Sequence, residues 1–229
     1  MKVIIPCCDN VSYDGILPRF LAIDETGMPM VCRAIEALDL PTNDIVISIY
    51  ADHDQKFQIV ELLTSRYPGI MICIISNECK NQAETIIATI EQLNYSGSFF
   101  VKDCDSSFSW MDMNEQDNYV CVSSLNANKT NVNDKSYVAA DHNGFILNIK
   151  EKIIISHLFS AGGYFFTSSD KFIQYYNYLT NHMPNWQDRI YISDIISIMI
   201  LNDLNFSVKQ VDDYKDYGTL EEWQQFALV

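Results

Sequence analysis

Short apolar stretches alternate with amphipathic stretches through the first half of the chain. Apolar stretches with the length of buried strands cover residues 2–7, 44–49, 70–75 and 98–102. Between them, apolar residues recur at helical spacing over 29–38, over 52–65 and from Asn81 onward, where Glu84 completes a capping box. This alternation predicts parallel strands with helices on both faces of the sheet.

The second half of the chain is less regular. Its patterns predict strands at 119–123, 137–140, 145–149, 152–156, 163–166 and 206–211, and helices at 169–179 and 193–201. The turn at 141–144 predicts a hairpin, and Thr219 with Glu222 forms a second capping box. We therefore predict an α/β fold in which a Rossmann-like mixed sheet is flanked by helices on both faces, as one domain over residues 1–229.

Composition narrows the classes of partner. Hydrophobic residues make up 48% of the chain and charged residues 20%, which is typical of a globular protein. The net charge of −15 repels phosphate backbones, so nucleic acid and anionic membranes are not expected partners. A nucleotide remains compatible with this charge, because a few placed cations and backbone N–H groups suffice to bind it.

Cysteine usage and hydropathy predict the compartment. The seven cysteines are odd in number, include no pair of zinc-type Cys-x-x-Cys clusters, and often lie within apolar runs. That usage is typical of reduced, buried thiols. No window approaches the roughly 18 apolar residues of a membrane span. We expect a cytoplasmic protein.

Two acidic segments are the candidates for chemistry. Asp103 and Asp105 directly follow a buried strand, where the ligands of open α/β sheets bind. Their hard oxygens suit Mg²⁺ or Mn²⁺ that carries a polyphosphate, although a solvated acidic turn would show the same pattern. Asp216 precedes Gly218 and a capped helix. If the fold joins the segments, Asp216 and Asp105 could hold one metal ion; otherwise Asp216 is merely exposed at a helix start.

A series of short motifs extends along nearly the whole chain. The motifs are Ile4-Ile5-Pro6, Leu17-Pro18-Arg19-Phe20-Leu21, Gly27-Met28-Pro29-Met30, Gln82-Ala83-Glu84-Thr85, Asp105 with Phe108, Glu151-Lys152, Gly163-Tyr164, Tyr191-Ile192-Ser193-Asp194 and Asp216-x-Gly218-Thr219-x-Glu221-x-Trp223. In this order they resemble the sugar-phosphate nucleotidyltransferase family, which has a GT-A-like fold. Such enzymes join a nucleoside triphosphate to a phosphorylated small molecule and release pyrophosphate.

The resemblance implies a role for each matching residue. Asp105 and Asp216 would hold Mg²⁺ or Mn²⁺, with Asp103 in a supporting role. Lys152 would contact the acceptor phosphate, and Arg19 stands where the family has a lysine. The residues implied in nucleotide binding are Pro6, Gln82, Ala83 and Glu84.

The loop after the first strand departs from the family pattern. Where the family has Gly-x-Gly-x-Arg, residues 7–15 contain one glycine, Gly15, and no arginine, and they carry Asp9 and Asp14. Glycines let backbone N–H groups approach a triphosphate, and the arginine neutralises the departing pyrophosphate. The departure predicts weak triphosphate turnover. A nucleotide-binding homologue without activity and a GT-A glycosyltransferase that uses a nucleotide sugar remain as alternatives.

Overall fold

The computed structural model describes residues 1–109, 116–126, 131–183, 185 and 189–227. The strands are β1 (Lys2–Cys7), β2 (Ile45–Tyr50), β3 (Met71–Ile75), β4 (Phe99–Lys102), β5 (Ser106–Ser109), β6 (Asn118–Ser124), β7 (Ser136–Ala140), β8 (Ile146–Glu151), β9 (Leu158–Phe166), β10 (Phe206–Gln210) and β11 (Asp212–Asp216). The α-helices are α1 (Met30–Glu36), α2 (Ala51–Phe57), α3 (Ile59–Arg66), α4 (Gln82–Gln92), α5 (Ser169–His182), α6 (Ile192–Leu201) and α7 (Leu220–Ala227).

A mixed sheet forms the centre of the molecule. Its strand order is β10-β6-β9-β4-β1-β2-β3, and the β7–β8 hairpin joins it through β9. Strands β4, β1, β2 and β3 run parallel, whereas β9 runs antiparallel to β4 and β6. The carboxyl ends of β1 and β4, which are neighbours, therefore open at the same edge of the sheet.

Apolar side chains alternate across β1 and create two cores. Val3, Ile5 and Cys7 pack with residues of α1 and α3 on one face of the sheet. Ile4 packs with residues of α4, α5 and α6 on the other face. Each such side chain, when fully buried, contributes roughly 1.5–3 kcal/mol. Helices on both faces of a mixed α/β sheet confirm the predicted fold class.

A small second sheet was not predicted from the sequence. β11 pairs antiparallel with β5, and this pairing joins Asp216 to Ser106. The residues of β11 are mostly polar and exposed, so they lack the apolar alternation by which a half-buried strand is recognised. This pairing brings the C-terminal acidic segment beside the end of β4.

Two other predictions about elements were wrong. The predicted helix at 52–65 is two helices, because Gln58 adopts a left-handed conformation (φ 53°) between α2 and α3. The predicted strand at 152–156 is absent: Lys152 also has a positive φ of 57°, and the chain turns there before β9 begins. The hairpin at 141–144 and the Thr219–Glu222 capping box are both present.

The structure also shows whether any helix could span a membrane and where the cysteines lie. Within the described residues, no helix combines the length and apolar character needed to cross a membrane. All seven cysteines are free, and five of them are buried.

Candidate active site

The acidic turn after β4 is fixed by a buried lysine. Lys102 is fully buried (0% exposed), and its ammonium group donates to the carbonyl oxygens of Asp103 (2.7 Å) and Ser106 (2.8 Å) and to Ser106 Oγ (2.7 Å). Ser106 Oγ in turn donates to the Ala161 carbonyl on β9 (2.9 Å). These bonds satisfy every donor of the ammonium group and tie the turn to two strands.

Asp103 is enclosed at the base of the turn. Its Oδ1 accepts a hydrogen bond from the side-chain amide of Gln82 (2.7 Å), and its N–H donates to the Gly162 carbonyl (2.8 Å). A Cβ on Gly162 would lie 2.7 Å from Asp103 Oδ2, so only glycine fits there without displacement. Burial, followed by the nearby charge of Asp105, raises the pKa of Asp103 to about 6.

The β5–β11 pairing places Asp216 beside Asp105. Oxygens of Asp216, Asp105 and Glu222 lie 3.2, 3.8 and 3.9 Å from the position that a Cβ would take on Gly218. The Tyr217 N–H donates to the Asp105 carbonyl (2.8 Å), which fixes the two segments against each other. Carboxylates that are over a hundred residues apart in sequence thus converge on one glycine.

Each of the two converging aspartates is paired with a cationic side chain. Arg19 Nη1 lies 2.9 Å from Asp105 Oδ2, and Arg19 Nη2 lies 2.9 Å from Asp9 Oδ2. Burial opposes the charge of Arg19, but Asp105 and Asp9 outweigh it and raise the arginine pKa. Asp216 is paired with Lys135, and these side chains are 8% and 12% exposed.

Two cavities adjoin this cluster. The β1 cavity, of about 510 Å³, is bordered by the end of β1 and the start of α4. The β8 cavity, of about 310 Å³, is bordered by the end of β8 and the start of α6. The residues that border both are Arg19, Gln82, Asp103, Asp105 and Tyr191. The acidic turn and Arg19 therefore form the partition between two chambers, an arrangement that allows two substrates to meet.

The residues implied in nucleotide binding occupy different positions. Pro6 and Gln82 border the β1 cavity. Ala83 belongs to α4 and is fully buried where that helix packs on the core. Glu84 accepts the Lys80 N–H (2.5 Å), and its own N–H donates to Asn81 Oδ1 (2.9 Å), so it serves to cap the helix. The structure brings Pro6 and Gln82 to the site, whereas Ala83 and Glu84 support the helix that carries Gln82.

Lys152 lies at the mouth of the β8 cavity. Its ammonium group is 3.8 Å from Asp134, and both side chains are about half exposed. The preceding residue, Glu151, also borders this cavity, where it accepts hydrogen bonds from Ser136 and Ser193. Burial raises the pKa of Glu151. Lys135 also borders this cavity, and Lys152 is the more exposed of these two lysines.

The structure places at the site two lysines that were not identified from the sequence. Lys102 left a signal, because a lone cation at the end of an apolar strand and before two aspartates must find buried acceptors. Lys135 left none, because its contact with Asp216 depends on the unpredicted pairing of β5 and β11.

The donor set fits a divalent cation that arrives with phosphate groups. Among the residues that the structure describes, no group of three or more His, Cys, Asp or Glu side chains is arranged to hold a metal ion by itself. Mg²⁺, however, is usually bound through one or two carboxylates together with substrate phosphates. Asp105 and Asp216 could supply those carboxylates, because an oxygen of each lies within 4 Å of the position that a Cβ would take on Gly218.

Comparisons with known proteins rest on structure alone. No family model and no curated protein matches the sequence. A nucleoside-diphosphate-sugar pyrophosphorylase from Vibrio cholerae RC9 matches with a TM-score of 0.84 at 19% identity and covers 100% of both chains. A putative glucose-1-phosphate thymidylyltransferase from Bacillus anthracis, in complex with sucrose, matches with a TM-score of 0.78 at 18% identity, over 99% of this chain and 94% of that one. A UDP-glucose pyrophosphorylase bound to UDP-glucose matches with a TM-score of 0.72 at 14% identity, over 99% and 97%.

These matches extend over the complete length of the described fold. They include the mixed sheet, the helices on both faces and the C-terminal segment that carries Asp216. At identities of 19% and below they establish the architecture and nothing finer. The chain therefore has the α/β fold of the nucleotide-sugar pyrophosphorylases and nucleotidyltransferases.

Proposed function

We propose that this protein is a nucleotidyltransferase that joins a nucleoside triphosphate to a phosphorylated small molecule, such as a sugar 1-phosphate, and releases pyrophosphate. The observation that carries the proposal is the convergence of Asp105 and Asp216 beside Arg19, at the partition between two cavities. One cavity for each substrate, with the charged groups between them, is the arrangement that phosphoryl transfer needs.

The two cavities take different substrates in this proposal. The nucleotide occupies the β1 cavity, where Pro6 and Gln82 lie at the wall and α4 supports them. The acceptor occupies the β8 cavity, with its phosphate directed toward Lys152. The acceptor phosphate then approaches the α-phosphorus from the β8 side, and the pyrophosphate departs on the β1 side, since attacking and leaving oxygens stand in line.

Asp105 and Asp216 are the residues that would hold Mg²⁺ or Mn²⁺ in this reaction. When bound, the metal ion supplies charge neutralisation at the phosphate oxygens. Asp103 supports the site from below, because its hydrogen bonds to Gln82 and to the Gly162 carbonyl fix the turn on which Asp105 stands. Arg19 and Lys135 neutralise these carboxylates in the structure. Both cations lie beside the partition, so they can interact with phosphate groups there.

A second candidate is a nucleotide-binding protein without transferase activity. This candidate is favoured by the ion pair between Asp9 and Arg19, because the pair engages the arginine on the side where pyrophosphate would leave. In such a protein the same cavity would bind a nucleotide and release it unchanged.

Pyrophosphate release tests the proposal. Each of the four NTPs would be incubated with a panel of sugar 1-phosphates and phosphocholine, in Mg²⁺ and in EDTA. We expect Mg²⁺-dependent release for at least one pair, and a reduction of about 10²-fold in Arg19→Ala, the typical effect of losing one charge-stabilising donor. Arg66→Ala is the matched control, because Arg66 pairs with Glu36 on the surface.

The outcomes separate the candidates. Release that Arg19→Ala leaves unchanged would contradict the role given to this arginine. Nucleotide binding without release from any pair would favour the second candidate over the first.

A further inference from the structure

In the loop after β1, aspartate side chains accept hydrogen bonds from backbone N–H groups of the same loop. Asp14 Oδ1 accepts the N–H groups of Ile16 (2.8 Å) and Leu17 (2.9 Å), and Asp9 Oδ1 accepts the N–H of Val11 (3.2 Å). Backbone N–H groups in loops of this kind are the usual donors to phosphate oxygens. Here aspartate oxygens already occupy the positions of anionic acceptors.

Asp9 also reaches out of the loop to the partition. Its Oδ2 accepts a hydrogen bond from Arg19 Nη2 at 2.9 Å, while Nη1 of the same guanidinium lies 2.9 Å from Asp105. Arg19 is only 16% exposed, so this charge is shared between two carboxylates rather than between one carboxylate and solvent. The three side chains together carry a net charge of −1.

The position of Asp9 relative to the two cavities determines which phosphate groups of a bound nucleotide its charge would repel. Asp9 borders the β1 cavity and does not border the β8 cavity. In an in-line displacement the leaving pyrophosphate points away from the acceptor, which enters from the β8 side. The β- and γ-phosphates of a bound triphosphate would therefore extend toward Asp9. The α-phosphate would lie at the partition, next to Arg19 and Asp105.

We propose that Asp9 is a specificity-determining residue, through which the site binds a nucleotide by its base, ribose and α-phosphate and gains no affinity from the terminal phosphates. This inference rests on the proposed function, because that function assigns the β1 cavity to a nucleotide. Asp9 offsets the affinity that the terminal phosphates would add in two ways: its charge repels them, and its hydrogen bond holds Arg19 away from them.

Binding measurements along a phosphate series test the inference. The dissociation constants of the NMP, NDP and NTP of each of the four bases would be measured calorimetrically in Mg²⁺. For the parent we expect the NTP to bind no more tightly than the NMP of the same base. In Asp9→Asn the NTP should bind about tenfold or more tightly than the NMP, because the negative charge that repels the terminal phosphates and pairs with Arg19 is gone, while NMP affinity should stay unchanged.

Asp14→Asn is the matched control. It removes the same unit of charge from the same loop, but Asp14 bonds to Ser12 and to loop N–H groups rather than to Arg19. An asparagine keeps the accepting oxygen in both variants, and their melting temperatures would show that the loop still folds. We expect the NTP-to-NMP affinity ratio of Asp14→Asn to equal that of the parent.

Three results would overturn the role of Asp9 while leaving the proposed function intact. They are a parent that already binds NTP tenfold more tightly than NMP, an Asp9→Asn variant with an unchanged ratio, and an equal shift in Asp14→Asn. If folded parent and variants bind no member of the series, the nucleotide site fails, and both proposals fail with it.

Discussion

The turn after β4 and the loop after β1 leave neighbouring strands at one edge of the sheet, but they hold their charges differently. In the turn, Lys102 is fully buried and bonded to groups on both sides, and Asp103 is hydrogen-bonded to α4 through Gln82. In the loop, Asp14 bonds only to residues of the loop itself. The turn is part of the core, whereas the Asp14 end of the loop lies on the surface and is held by bonds within the loop.

This difference explains why the two halves of the site depart unequally from the family pattern. Loss of Lys102 from the turn would leave buried polar groups without partners, which costs several kcal/mol. A change in the loop alters exposed groups, and exposed substitutions usually cost less than about 0.5 kcal/mol. The turn that would hold a metal ion in the proposed function is therefore constrained by stability, and the loop that would face the phosphate groups is constrained mainly by that function.

The largest effect should follow the loss of the buried lysine. Lys102→Met removes the donor to three oxygens and leaves nearby carboxylates without a counter-charge. We expect the free energy of unfolding to fall by about 3 kcal/mol. Urea denaturation measures this change. Lys209→Met, on β10 of the same sheet, is the control and should cost less than about 0.5 kcal/mol. Equal stability of the two variants would refute the stabilising role given to buried Lys102.

A smaller effect should follow neutralisation of Asp103. Its folded pKa of about 6 lies above the ordinary value of 3.8, so the folded parent holds this proton longer than the unfolded chain. The contribution of Asp103 to the stability of the parent therefore falls as pH rises from about 4 to about 6. Asp103→Asn lacks that titration and should become more stable than the parent by about 2 kcal/mol across this interval. Denaturation curves at pH 4 and pH 7 measure the difference, and an unchanged difference would contradict the burial of this carboxyl.

Asp24 supplies a comparison of opposite sign. Burial opposes its ionisation, but hydrogen bonds from Thr26, the Met28 N–H and Arg33 lower its pKa to about 2. Its contribution to stability is present above about pH 4 and is lost as pH falls toward 2. Asp24→Asn should thus be less stable than the parent at pH 7, and this deficit should shrink toward pH 2. A deficit that grows on acidification would contradict the sign.

Periodicity predicted the fold well where strands are buried on both faces. The strands at 2–7 and 98–102 and the helix after Asn81 appear with nearly the predicted bounds, because apolar runs and caps are local signals. The break at Gln58 was not predictable in the same way, because a left-handed residue within a continuous amphipathic pattern leaves the spacing of apolar positions almost unchanged.

The candidate site was predictable only in part. Asp105 and Asp216 were chosen by their positions after a buried strand and before a capped helix and by motif order, but their juxtaposition depends on β11, whose polar sequence gives no strand signal. Ala83 and Glu84 were assigned from a motif that also forms the start of a helix, and sequence does not separate the capping role from a binding role. Arg19 and Asp9 are ten positions apart in the sequence and lie across a turn, so their pairing could be recognised only in the structure.

The smallest effect should appear at the mouth of the β8 cavity. Lys152 is half exposed, so Lys152→Ala should leave the fold intact and raise the KM for a sugar 1-phosphate by about tenfold, the effect of one lost charged contact. Nucleotide affinity should not change, because Lys152 does not border the β1 cavity. Lys56→Ala, an exposed lysine of α2, is the control. Steady-state kinetics with each substrate varied in turn separate the two parameters.

The direct test of a metal site shared by two distant segments is Mn²⁺ binding followed by electron paramagnetic resonance with an NMP present. Mn²⁺ takes the same hard oxygen ligands as Mg²⁺. We expect the parent to bind one ion per chain, Asp105→Asn and Asp216→Asn each to lose that ion, and Asp212→Asn, an exposed change on β11, to retain it. Retention of the ion by both Asp105→Asn and Asp216→Asn would contradict the shared site.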